Sequence, residues 1–192
     1  MIKAIVFDCF GVLLADVMRA RIASVRQVDP EAGQRLTDIV KASNRGLITR
    51  EESAKQMAEI FGMDYQDLIA AGNEGEVKNE ELIEYIKTLR PRYKLAMLSN
   101  IRSRERLDIR FDPGELDSLF DVVVASGDVG LIKPERQIYE LTAEKLGVLP
   151  DECVMLDDVE EFCEGAIAAG MRAIHFQSTQ QGVRELEALL VA

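Results

Sequence analysis

The sequence predicts an α/β fold: a parallel sheet covered by helices on both faces, with a block of helices set between the first strand and the second. Three observations carry this. Short apolar runs recur along the chain and are too uniformly apolar for a sheet with one wet face. Helix-spaced apolar stripes with capping signals separate those runs. Between the first two runs lie several helices' worth of chain, where a single crossover helix suffices to join parallel strands.

In chain order, Ile2–Phe7 reads as the first strand. The following segment, from about Asp16 to Gly72, holds about four helices. One of them carries Ala54, Met57, Ala58 and Phe61 at helical spacing, with Thr49 and Glu52 forming a capping box at its start. The next helix carries Leu82, Ile86 and Leu89 behind Asn79, a good N-cap. Lys94–Leu98 and Val122–Ala125 are the second and third strands. Ile138, Leu141 and Leu146 follow Pro134, which suits a first helical turn. Cys153–Leu156 is the fourth strand, a helix from about Val159 to Ala169 ends at Gly170, and Ala173–Phe176 is the fifth strand, followed by a helix starting near Ser178. The expected architecture is a Rossmann-like core of residues 1–14 and 79–192, with residues 15–78 as an inserted helical cap. The linkers are Leu13–Asp16 and the Gly72-Asn73-Glu74-Gly75 stretch, and the chain contains no internal repeat.

The chain of 192 residues suits one domain with an insertion, and 47% hydrophobic and 30% charged residues supply a globular core. A net charge of -11 disfavours nucleic acid or an anionic membrane surface as partner. No apolar run reaches the length of about 18 residues that spans a bilayer, and Asp8 interrupts the first apolar stretch, so no cleavable leader is expected. Cys9, Cys153 and Cys163 are odd in number and widely spaced, as reduced, buried thiols of a cytoplasmic protein would be. His175 is the only histidine, which excludes a His-dependent triad and a multi-histidine metal site.

In an open parallel sheet, ligands bind beyond the carboxyl ends of the strands. Asp8 follows the first strand there, Ser99-Asn100 the second, Ser126-Gly127-Asp128 and then Lys133-Pro134 the third, and Asp157-Asp158 the fourth. Each alone has a bland reading: Asp8 or the acid pair as helix caps, Ser99-Asn100 as a turn, Lys133 as a solvated lysine. Together they place a carboxylate, a hydroxyl, a lysine and two further acids at one edge. Glu160 and Glu161 read as surface charge, Cys9 as packing, and His175 as structural.

The order Asp8…Ser99…Lys133…Asp157-Asp158 resembles the four motifs of the haloacid dehalogenase superfamily, and "SGDVGLIKPERQIYE" and "DDVEEFCEGAIAAGM" are similar to its third and fourth motifs. The likeness covers roughly residues 1–14 and 79–176. Within the superfamily the chain looks most like the phosphatases related to alpha-D-glucose-1-phosphate phosphatase and the N-terminal phosphatase domain of soluble epoxide hydrolases. The resemblance implies a phosphatase acting on a small phosphorylated metabolite through an aspartyl-phosphate on Asp8, because a carboxylate attacking phosphorus splits one hard step into two. It implies Mg2+ held by Asp8, Asp158 and the backbone carbonyl of Phe10, with Asp157 a direct or water-mediated partner. Ser99, Asn100 and Lys133 would bind the phosphoryl group, and Lys133 would also neutralise charge at the nucleophile.

Phe10 departs from that pattern. The family's phosphatases usually carry a second aspartate there to protonate the leaving oxygen, and Phe10 moves no proton. General acid–base help is worth about 10²–10⁴-fold, or roughly 3–5 kcal/mol of barrier. The superfamily's dehalogenases also lack that acid, so Phe10 points to a metal-independent 2-haloacid dehalogenase, with Arg19, Arg21 or Arg45 as carboxylate clamps. The acid pair points the other way, because adjacent buried acids demand a cation or hydrogen bonds. Phe162 also stands where the family often has Asn. The two phenylalanines together fit a third reading, a binding protein that keeps the metal site without turnover.

Overall fold

The computed structural model of the chain describes residues 1–71 and 74–191. Part of the second expected linker, Gly72 and Asn73, lies outside the described residues. Five strands, β1 (Ala4–Phe7), β2 (Lys94–Ser99), β3 (Val122–Ala125), β4 (Cys153–Asp157) and β5 (Arg172–His175), form one parallel sheet in the order β3-β2-β1-β4-β5.

Strand side chains alternate between faces with a period of two, which makes two cores from one sheet. Ile5, Phe7, Leu95, Met97, Val154 and Leu156 face one side, against α5 (Glu80–Leu89) and α11 (Thr179–Leu190). Val6, Leu98 and Met155 face the other, against α9 (Arg136–Leu146) and α10 (Glu160–Ala168). Because both faces are covered, the strands need no polar positions, and β4 is buried at all five residues.

Four helices precede α5 in the connection from β1 to β2: α1 (Val17–Val28), α2 (Pro30–Asn44), α3 (Arg50–Phe61) and α4 (Tyr65–Ala70). Each begins behind a side-chain cap, from Asp16, Asp29, Thr49 and Asp64 respectively. The capping box of Thr49 and Glu52 forms as the spacing requires. The chain leaves and re-enters the sheet through a narrow neck. Leu14 forms an antiparallel bridge with Lys78, the Ala15 N–H donates to the Val77 carbonyl at 3.0 Å, and the Asn79 N–H donates to the Leu13 carbonyl at 2.9 Å. Asn79 also caps α5 through its side-chain oxygen, which accepts from the Leu82 N–H.

Three local features differ from the sequence expectation. Helix α9 starts at Arg136, so Pro134 lies ahead of it instead of in its first turn; Lys133 and Pro134 are held at the sheet edge by contacts described below. The Ser126-Gly127-Asp128 segment after β3 forms a single helical turn, α8 (Ser126–Val129), for which the sequence shows no helical pattern. Two further short helices, α6 (Arg104–Asp108) and α7 (Glu115–Leu119), fill the connection from β2 to β3.

Helix α10 packs tightly on the segment that carries Lys133. A Cβ at Gly165 would sit 2.7 Å from the Pro134 Cβ, 2.8 Å from its carbonyl oxygen and 2.9 Å from the Tyr139 hydroxyl. Only a residue without a side chain lets the helix approach so closely. Gly165→Ala is therefore expected to lower stability by about 1–3 kcal/mol, despite the roughly 1 kcal/mol that alanine adds to helix propensity. Chemical denaturation of the two proteins measures the difference; an unchanged or raised midpoint would contradict this packing.

Candidate active site

Strand order determines which side chains meet. β1 lies between β2 and β4, so the residues that end or follow these three strands, Ser99, Asp8 and Asp157, converge at one edge. The Asp8 N–H donates to the Leu156 carbonyl at 2.9 Å, which extends the ladder one residue beyond β1 and fixes the Asp8 backbone. Asp8 Oδ1 then accepts the Cys9 N–H at 2.7 Å. Lys133, which follows β3 and α8, reaches across: its Nζ lies 2.9 Å from Asp8 Oδ1 and 2.6 Å from Asp157 Oδ2. All three side chains are buried, Lys133 completely.

Lys133 is therefore a buried cation between two acids, and its bland reading as a solvated lysine gives way. Asn100 clamps its backbone from β2: the Asn100 amide nitrogen donates to the Lys133 carbonyl at 3.1 Å, and its oxygen accepts the Lys133 N–H at 2.9 Å. The Phe162 ring covers the ammonium at 4.9 Å, a favourable cation–π arrangement. Phe162 is held in turn by the Tyr139 hydroxyl, which donates to its carbonyl at 2.7 Å.

Asp158 completes the acid set. One carboxylate oxygen from each of Asp8, Asp157 and Asp158 can be chosen so that all lie within 4.8 Å of one another. The Gly11 backbone, at a φ of 90°, presses against Asp158, and a Cβ there would fall 2.1 Å from Asp158 Oδ2. Asp157 is largely engaged, since Oδ2 meets Lys133 and Oδ1 accepts the Val159 N–H at 3.0 Å. Two buried polar atoms at this edge have no hydrogen-bond partner, Asp158 Oδ1 and Ser99 Oγ. Buried polar atoms are rarely left unpaired without a role. Three crowded carboxylates of which one keeps a buried free oxygen fit a divalent cation with oxygen ligands, and Ser99 Oγ fits an anionic oxygen. Among the described residues this is the one acid-rich cluster able to hold a metal.

The electrostatics follow from burial. Desolvation pushes the Asp8 carboxyl up to about 7 against the pull of Lys133, with Asp157 and Asp158 adding to the rise. Burial also raises Asp158, opposed by Arg19. Lys133 is held above its ordinary value: burial works against its charge, and Asp157 and Asp8 outweigh it.

The remaining candidates fall in distinct places. Phe10 lies beneath the Arg110 guanidinium, 5.4 Å from its centre, and Arg110 pairs with Glu76 through two contacts of 2.7 and 3.0 Å. Arg19 lies at the site, with Nη1 2.5 Å from Asp158 Oδ2. Arg45 pairs instead with Glu135, and Arg21 makes no ion pair among the described residues. His175 Nε2 lies 3.1 Å from the Asp158 carbonyl oxygen, a structural contact. Cys9 is buried and free, and Glu160 and Glu161 are exposed.

The sequence pattern of the haloacid dehalogenase-like hydrolases matches residues 2–170. The chain belongs to that family. As a haloacid dehalogenase-like hydrolase it is 28% identical, over 99% of its own length and 93% of the relative's, to a phosphorylated carbohydrates phosphatase of Thermotoga maritima. A shorter stretch, 38% of this chain, is 41% identical to the rat bifunctional epoxide hydrolase 2, of which it covers only 13%. The fold superposes on a HAD family enzyme of Bacteroides thetaiotaomicron, solved with magnesium and inorganic phosphate, at a TM-score of 0.74 and 24% identity, covering 93% of this chain and 96% of that one. Among the described residues of this hydrolase no helix is long and apolar enough to cross a membrane.

The raised Asp8 gives a pH test in the absence of metal. The folded protein keeps this proton up to about pH 7, whereas the ordinary value is 3.8. Between those values the folded state binds more protons than the unfolded one, so the Asp8 contribution to stability falls as pH rises. Asn mimics the protonated form, so in EDTA Asp8→Asn is expected to gain stability relative to wild type from pH 4.5 to 7.5. The gain should exceed about 1 kcal/mol, one pKa unit being about 1.4 kcal/mol. A stability gap independent of pH, by urea denaturation, would show that Asp8 is ionised throughout.

Proposed function

We propose that this hydrolase is a magnesium-dependent phosphomonoesterase that acts on a small phosphorylated metabolite through an aspartyl-phosphate on Asp8. The observation that carries the proposal is the arrangement of Asp8, Asp157 and Asp158 around buried Lys133, with Asp158 Oδ1 and Ser99 Oγ left unpartnered. The phosphatase relative from Thermotoga maritima supports the same reading.

Asp8 Oδ1 is engaged by the Cys9 N–H and Lys133, which leaves Oδ2 as the attacking atom. Oδ2 bonds to phosphorus as the ester P–O bond breaks, and water then attacks the acyl phosphate to release phosphate and restore Asp8. Lys133 stabilises the carboxylate and the transferring phosphoryl oxygens, and the Ser99 hydroxyl donates to one of them. Asn100 acts here by positioning Lys133 as much as by touching substrate. Bound magnesium, held by Asp8, Asp158 and the Phe10 carbonyl with Asp157 close by, supplies charge neutralisation between nucleophile and phosphate. We assign residues 15–78 to a cap that closes over this edge and selects substrate.

Phe10 offers no proton to the leaving oxygen, so poor leaving groups suffer most. The same residue favours a second reading, a metal-independent haloacid dehalogenase. The two further acids beside the nucleophile, Asp157 and Asp158, argue against it, since they would repel a haloacid carboxylate. Halide release from 2-chloropropionate in EDTA would support that second reading over ours, and none is expected.

Purified protein should hydrolyse p-nitrophenyl phosphate with Mg2+ and not in EDTA. Asp8→Asn should reduce turnover to background, and Lys133→Met should lower kcat by about 10²–10³-fold. Phosphate release in EDTA, or turnover surviving in Asp8→Asn, would overturn the proposal. The ratio of aryl to alkyl phosphate turnover is expected to be high in wild type and to fall in Phe10→Asp. An unchanged ratio would mean that another group already donates the proton.

A further inference from the structure

Arg19 sits in the first turn of α1, outside the sheet, yet its guanidinium reaches the acid cluster. Nη1 lies 2.5 Å from Asp158 Oδ2 and Nη2 lies 2.9 Å from Asp16 Oδ2. Asp16 is also the N-cap of α1, accepting the Arg19 N–H at 2.9 Å. The residue is therefore held between the cap of its own helix and an acid that follows β4.

The charge balance makes this contact unusual. Three carboxylates, Asp8, Asp157 and Asp158, face two cations, Lys133 and Arg19. A dication together with Lys133 would match the three carboxylates of the cluster, which leaves Arg19 only Asp16, outside the cluster, as its counter-charge. One of the two resident cations is then in excess, and close cations repel strongly away from bulk water. Lys133 is not the one to yield, because its ammonium is fully buried and bridges two acids. The Arg19 side chain keeps 43% of its surface exposed and has Asp16 as a second partner. Polar contacts elsewhere between the insert and the sheet edge include Arg45 with Glu135, Arg102 with the Ile48 carbonyl, and Ser126 with the Asn44 carbonyl. They involve the far end of α2 and the segment after it, so release of Arg19 would loosen the first turn of α1 while the rest of that helix stays packed on α2 and the insert stays attached.

We propose that Arg19 is a metal-displaced latch: without metal it closes the first turn of α1 onto Asp158, and a divalent ion at the acid cluster releases it. This rests on the magnesium reading above. The released guanidinium stays beside Asp16 at the rim of the site, where an anionic substrate enters. Metal binding thus comes before opening, and the empty site stays covered.

The test is calorimetric titration of Mg2+ into wild type, Arg19→Met and Arg19→Lys, with hydrogen exchange followed over residues 17–28. Removing the competing cation should tighten Mg2+ binding by roughly threefold to tenfold in Arg19→Met, the scale of a partly exposed, charge-assisted pair. Arg19→Lys, which keeps the charge without the planar fork, should fall between. Mg2+ should speed exchange at the N-terminal end of α1 in wild type and leave it unchanged in Arg19→Met, where it is already fast. Equal or weaker Mg2+ binding in Arg19→Met would overturn the latch alone, as would exchange at that end of wild-type α1 that Mg2+ slows or leaves alone. No Mg2+ binding by any of the three proteins would overturn the metal site as well.

Discussion

A lysine ammonium with no solvent exposure, set between two buried aspartates, is the constraint around which this protein is arranged. Burying an unpaired charge is prohibitive, and removing one partner of a buried pair typically costs about 3–5 kcal/mol. Lys133 must therefore be delivered to Asp8 and Asp157 with little freedom. The structure does this from three directions. Asn100 grips the Lys133 backbone from β2, the Phe162 ring covers the ammonium, and Gly165 lets α10 close on Pro134. The parallel sheet supplies the rest, because adjacent strands end at the same edge and bring Asp8, Ser99 and Asp157 together.

The same constraint explains which features were legible in the sequence. Strands buried on both faces read directly as apolar runs, and β3 matches its expected span residue for residue. Capped helices of ten or more residues, such as α3 and α5, show both their stripe and their start. Helices α6 and α7 have five residues each, too few for a stripe, and they pass unnoticed. Pro134 looks like the start of a helix from local chemistry alone, but Asn100 holds the preceding Lys133 backbone and α9 begins only at Arg136. The positions of the acids and the lysine were legible because each ends or directly follows a strand or its connection. Their partners were not. Asn100 and Lys133 lie 33 residues apart, and Arg19 and Asp158 lie 139 apart, so no local pattern links either pair.

Phe10 shows how a departure from a family pattern acquires a physical context. Its ring supports the Arg110 guanidinium, which is paired with Glu76 just before the neck returns to the sheet. In place of a proton donor, the loop after β1 carries an apolar platform for an ion pair that ties the neck to the connection after β2. The proposed chemistry then depends more heavily on the leaving group, and the proposed cap gains a firmer attachment beside the nucleophile.

The central claim is that Asp8 attacks phosphorus beside a divalent ion. A crystal structure of the protein with magnesium and beryllium fluoride tests it most directly. The account requires a trifluoroberyllate on the Asp8 carboxylate, near Ser99 and Lys133, and an ion bound by Asp8, Asp158 and the Phe10 carbonyl. An ordered structure with Asp8 unmodified, or with the ion bound away from these acids, would contradict it.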